Sequence, residues 1–124
     1  MAKRILVIDD EALIREIVQE MLEVEGYVVS TAANGKEGLR LYRKELPDLI
    51  ITDIFMPEME GLETIRELHR SSPDVKIIAI SGGGERGMIS FLSHARRFGA
   101  LRTLEKPFSR EELLNSVRDV LAEE

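Results

Sequence analysis

Strand and helix signals alternate without a break along these 124 residues, five times over, and that rhythm leaves few folds open. The first strand is the continuous apolar run of residues 5–8. Residues 11–25 then carry Leu13, Ile14, Ile17, Val18, Met21 and Leu22 at helical spacing, with Asp10 as the expected cap and Gly26 as the stop. Residues 27–31 read as the second strand, rich in β-branched side chains. Asn34 with Glu37 three places on predicts a capped helix over 35–45. The third strand spans 49–52, and a helix over 61–71 turns Leu62, Ile65 and Leu68 inward before Pro73. Residues 75–80 give the fourth strand, 87–98 a glycine- and serine-weakened helix, and 101–104 the fifth strand. Ser109 and Glu112 form a capping box for a last helix that ends near Ala122 and buries Leu113, Leu114, Val117, Val120 and Leu121.

Strict strand–helix alternation requires a parallel sheet with right-handed crossovers and helices on both faces. The expectation is therefore an α/β fold, one doubly wound domain over residues 1–124, with no linker or low-complexity stretch. A domain of this size hides roughly two thirds of its unfolded surface, which is enough for a core.

Charge narrows the function classes. The formal net charge of -6 disfavours direct binding of nucleic acid or of anionic membranes, both of which need basic patches, and suits a cation site. The absence of cysteine excludes disulfide and thiol chemistry. No apolar run approaches the roughly 18 residues of a membrane span, and residues 5–8 are too short for the apolar core of a signal peptide. The expected location is cytoplasmic.

Chemistry should concentrate beyond the carboxyl ends of the strands, where open α/β sheets place their sites. Three strands end there in charge: Asp9-Asp10-Glu11 after the first, Asp53 after the third, Lys106-Pro107 after the fifth. Each is ordinary alone, since an aspartate after a strand is commonly a cap or turn former. Together they form a pattern. Asp9, Asp10 and Asp53 on neighbouring strand ends would repel one another unless a cation intervened. Mg²⁺ takes one or two carboxylates, several waters and phosphate oxygens, so the set suits phosphoryl transfer. An aspartate can serve as the nucleophile, forming an acyl phosphate. Lys106 supplies a point charge, and Ser81 a hydroxyl, to the phosphate oxygens.

The set Asp9-Asp10-Glu11, Asp53-Ile54-Phe55-Met56-Pro57 with Gly61, Ser81, Gly99-Ala100 and Lys106-Pro107-Phe108 resembles the receiver domain of two-component response regulators, over the whole chain. The resemblance, chemotaxis-regulator-like, implies a flavodoxin-like sheet of strand order 2-1-3-4-5. It implies that Asp53 accepts a phosphoryl group from a histidine kinase, that Asp10 binds Mg²⁺ directly and Asp9 through water, and that the Phe55 carbonyl completes the protein ligands. It further implies that Lys106 pairs with the phosphoryl group, that Ser81 closes on it, and that the Lys106–Pro107 bond is cis. The protein would catalyse only its own phosphorylation and dephosphorylation. The fourth helix, fifth strand and last helix would form the face read by an output protein or domain, with Arg96, Arg97, Arg102 and Arg110 as its basic residues.

Three positions depart from the family's pattern. Thr103 stands where an aromatic switch residue is common, Gly82-Gly83-Gly84 loosens the segment after Ser81, and bulky Phe55 follows Asp53 by two where a polar side chain could help position water. The last implies a comparatively long-lived phosphorylated form, checked by comparing dephosphorylation time courses of the parent and Phe55→Asn; a variant no faster than the parent refutes it. Other readings compete less well. Gly82 to Gly87 matches the spacing of a dinucleotide-binding loop, with Glu105 about twenty residues on, but it leaves the three aspartates unexplained. An aspartyl-phosphate hydrolase would want an acid at position 55. A degenerate receiver, acting only as a docking module, would not keep the complete acid set. His69 and His94 read as surface residues.

Overall fold

The computed structural model describes residues 2–54, 60–82 and 95–122. The elements are β1 (Arg4–Ile8), α1 (Ala12–Val24), β2 (Val28–Ala32), α2 (Gly35–Glu45), β3 (Leu49–Asp53), α3 (Glu60–Ser71), β4 (Ile77–Gly82), the helical residues 95–98 (α4), β5 (Arg102–Lys106) and α5 (Arg110–Ala122). The five strands are all parallel, in the order β2-β1-β3-β4-β5.

Period-two alternation divides the core between the two faces of this sheet. Ile5, Val7, Leu49, Ile51, Ile78, Ile80 and Leu104 pack with Val18 and Leu22 of α1 and with Leu113, Leu114, Val117 and Val120 of α5. Their neighbours Leu6, Ile8, Ile50, Ile77 and Ala79 pack the other way, against Leu62, Ile65 and Leu68 of α3 and Ala95 of α4. A strand whose successive residues are all buried needs cover on both faces, which is why β1, β3 and β4 read as continuous apolar runs.

Local chemistry sets the helix ends. Asn34 accepts the Glu37 N–H at 2.8 Å, and the Glu37 carboxylate accepts the Ala33 N–H at 3.2 Å. Ser109 and Glu112 make the full reciprocal box, both bonds at 3.0 Å. Gly26, with φ of +93°, turns the chain out of α1. The cap expected from Asp10 is absent: Glu11 holds the cap position of α1 without a side-chain bond, and its own N–H is taken by the Asp9 carboxylate. The expected apolar stripe of α1 is also narrower than its sequence. Ile14, Val18, Met21 and Leu22 face the core, whereas Leu13 and Ile17 are 65% and 39% exposed.

Candidate phosphoryl-acceptor and metal site

Strand register builds the site. Ile8 stands opposite Thr52, so the next residues, Asp9 and Asp53, end adjacent strands at the same level. Asp9 and Asp53 follow Val7 and Ile51 by two, and Lys106 follows Leu104 by two; all three therefore continue the side of the sheet that α1 and α5 cover. Both acids are 2% exposed.

Lys106 joins them. Its Nζ donates to Asp9 Oδ2 at 3.1 Å, Asp53 Oδ2 at 3.2 Å and Glu11 Oε1 at 3.4 Å, so the ammonium bridges the ends of β1, β3 and β5. Asp9 is held further by the Glu11 N–H on Oδ1 at 2.9 Å, by its own N–H on the Ala32 carbonyl at 3.1 Å, and by the Arg15 guanidinium on its carbonyl at 2.6 Å. Burial raises the Asp9 pKa above its ordinary value; the Glu11 N–H opposes the rise, the Asp53 charge adds to it, and Lys106 offsets part of it. Burial pulls Lys106 down, but the carboxylates of Asp53 and Asp9 outweigh it and the ammonium sits above its ordinary value.

Asp9, Asp10, Glu11 and Asp53 each bring a carboxylate oxygen within 4.8 Å of the others. An all-oxygen donor set, part buried and part open to water, fits a hard divalent cation that keeps some of its waters. Asp10 is exposed beside the buried pair, on the solvent side of the cluster. Ser81 is fully buried within β4, where it pairs in register with Glu105 of β5. Gly61 explains how α3 can start so close to the end of β3: a β-carbon there would collide with the Asp53 carbonyl and the Ile54 α-carbon. The Lys106–Pro107 bond is cis.

Other expected residues fall elsewhere. Phe55 lies outside the described residues, as do His94 and the Gly83–Gly87 part of the glycine-rich motif. His69 is exposed on α3 and packs against Gly99. Of the four arginines expected on the output face, Arg110 is turned to Glu25 at the end of α1, at 3.1 Å, which partly neutralises it. Glu11 and Arg15 join the site without having been singled out as site residues. Adjacency to the aspartate pair was the available signal for Glu11; for Arg15 it was only the four-residue spacing from Glu11.

A family model described as the response regulator receiver domain matches residues 5–118. The chemotaxis protein CheY of Thermotoga maritima is 34% identical over 121 residues, covering 97% of this chain and 98% of that protein. The probable transcriptional regulator ycf27 of Porphyra purpurea is 41% identical over 119 residues, covering 96% of this chain but 47% of that protein, so the chain spans about half the length of the first curated relatives it matches. A crystal structure of a CheY-like response regulator receiver domain protein from Methanospirillum hungatei superposes with a TM-score of 0.89 at 32% identity, covering 98% of this chain and 94% of the other. Charged residues closing one edge of a 2-1-3-4-5 sheet, a family match across nearly the whole length, and relatives alike in sequence and shape agree: this chain belongs to the response regulator receiver domain family.

Proposed function

We propose that residues 1–124 form a phosphoacceptor receiver domain, which takes a phosphoryl group from the phosphohistidine of a histidine kinase onto Asp53 and thereby switches a partner-binding face. The observation that carries this reading is the single ammonium of Lys106 lying 3.1 Å from Asp9 and 3.2 Å from Asp53, two buried carboxylates level on adjacent strands. An isolated structural ion pair does not need a second buried acid; a site that must accept extra negative charge gains from a fixed cation beside its nucleophile.

Asp10, Asp9, Asp53 and the Phe55 carbonyl would hold Mg²⁺, Asp9 mostly through water. The ion would neutralise charge on the transferring phosphoryl oxygens. Asp53 attacks phosphorus in line; its O–P bond forms as the donor's P–N bond breaks, and the imidazole leaves with the bonding pair. Lys106 shifts from balancing two carboxylates to pairing with a phosphoryl oxygen, and Ser81 donates its hydroxyl to another. Phosphorylation adds roughly one negative charge and further acceptor oxygens at this spot, so conformations that draw Lys106 and Ser81 inward gain contacts the others lack. Ser81 and Lys106 lie on the adjacent strands β4 and β5, which gives the change a route to the face made by α4, β5 and α5. That face would engage an output protein or domain. The domain catalyses no reaction beyond its own phosphorylation and dephosphorylation. Cytoplasmic location and independence from membranes and nucleic acid belong to the same reading; among the described residues no helix is long and apolar enough to cross a membrane.

The test is incubation with acetyl phosphate and Mg²⁺, followed by intact mass, in the parent and Asp53→Asn. A hydroxylamine-sensitive adduct of one phosphoryl group in the parent alone is expected. An equal adduct in both, or none in the parent, overturns the assignment.

A further inference from the structure

Arg15 makes one contact that the phosphoryl chemistry above does not use. It lies half-buried in the first turn of α1, where its N–H bonds the Glu11 carbonyl at 3.1 Å, and its guanidinium reaches back to the Asp9 carbonyl at 2.6 Å. That is the shortest of the polar contacts on Asp9, and it is charge-assisted. Its place in the chain matters more than its strength. The Asp9 carbonyl belongs to the planar peptide that leads into Asp10, so fixing the oxygen fixes the plane. The plane sets the direction in which Asp10 leaves the strand. One peptide further on, the Glu11 N–H closes back onto Asp9 Oδ1, so the same short segment carries both bonds. The guanidinium is thus anchored to the backbone segment that carries Asp9, Asp10 and Glu11, three of the four acids in the cluster.

We propose that Arg15 is a positioning residue: it locks the Asp9–Asp10 peptide and so holds the carboxylates at the spacing a divalent cation requires. The inference rests on the reading of this edge as a Mg²⁺ site. Charge alone predicts the opposite effect. Arg15 brings a positive charge to the rim of an acid cluster, so removing it should by itself tighten cation binding, whereas loss of a positioning bond should weaken it.

The sign decides the experiment. Mg²⁺ affinity would be measured by calorimetry in the parent, Arg15→Met, Arg15→Lys and Arg43→Met, the last removing the same charge from an exposed site on α2. The expected result is a Kd raised about 10-fold in Arg15→Met, a smaller rise in the same direction in Arg15→Lys, which keeps the charge but loses the planar fork, and none in Arg43→Met. Hydrogen–deuterium exchange on the metal-free proteins supplies a readout independent of metal. The Glu11 amide should exchange about 10-fold faster in both Arg15 variants, while the amides of residues 18–22 keep parent rates. Affinity in Arg15→Met equal to or tighter than the parent, or an unchanged Glu11 amide, overturns the inference. A parent that binds no Mg²⁺ sinks the metal reading instead, and exchange at Glu11 then decides the clamp alone. Should Arg15→Met fail to fold, Arg15→Lys carries both measurements.

Discussion

Asp9 carries a cost that its neighbours only partly relieve. Burial raises its pKa, so in the folded state the ionised carboxylate is disfavoured relative to the unfolded chain. The sign follows. Below the ordinary value of 3.8 the group is protonated in both states and contributes nothing against folding; as pH rises from there the unfolded chain ionises first, so the cost grows, and it is complete once pH has passed the raised folded value. In chelator, Asp9→Asn should therefore melt a few degrees higher than the parent near pH 7, with the gap closing as pH falls toward 3.8. Thermal unfolding followed by circular dichroism across that range is the measurement; a parent at least as stable as Asp9→Asn at neutral pH contradicts the account. Lys106 shifts stability in the same direction at higher pH, though as a favourable contribution that is lost: with its pKa raised above 10.5, that contribution is complete below that value and is lost as pH rises through the folded one. At this scale the sequence was legible where a charge ended an apolar run, as at Asp9, Asp53 and Lys106. Arg15 left no such trace, because its partner is a backbone carbonyl and only the folded turn brings the two together.

Helix α1 shows how far periodicity carries at the scale of the element. Leu13 and Leu22 belong to the same apolar series, yet Leu22 is fully buried and Leu13 is 65% exposed. Truncating them should separate sharply. Leu22→Ala should lose about 2–5 kcal/mol by leaving a cavity in the core, whereas Leu13→Ser should stay within about 0.5 kcal/mol of the parent. Urea unfolding of the two variants checks this, and comparable losses would mean that the outer row of α1 is packed after all. The starts of α2 and α5 were readable because Asn34, Ser109 and Glu112 act through local bonds. Strand starts were less so. The fourth strand begins at Ile77 rather than the expected 75, since the Val75 N–H is spent on a turn to the Ser72 carbonyl at 2.9 Å. The fifth runs on to Lys106, past the expected 104, because β4 continues to Gly82 and keeps a partner for it. Both shifts depend on where a neighbouring backbone lies, which side-chain patterns do not encode.

For the molecule as a whole, composition separated the middle of the sheet from its edges. The central β3 is buried from end to end, while β2 and β5 alternate with polar and half-exposed residues. Strand order itself came only through the family resemblance, since every alternating chain offers the same local signals whichever strand comes first. That order matters because it sets β1 beside β3, and with them two buried acids whose repulsion the fold must tolerate. Metal should reverse the sign of that burden. A cation that binds only the folded protein stabilises it by about 2.7 kcal/mol at a hundredfold excess over Kd. The melting temperature of the parent should therefore climb through a magnesium titration and fall back on adding chelator. Asp9→Asn, the more stable protein without metal, should gain less and be overtaken. The crossing of the two curves is the outcome to look for in paired thermal scans. If the parent's melting temperature stays flat across the titration, or Asp9→Asn rises with it in parallel, the buried acids at the end of this sheet serve something other than a cation.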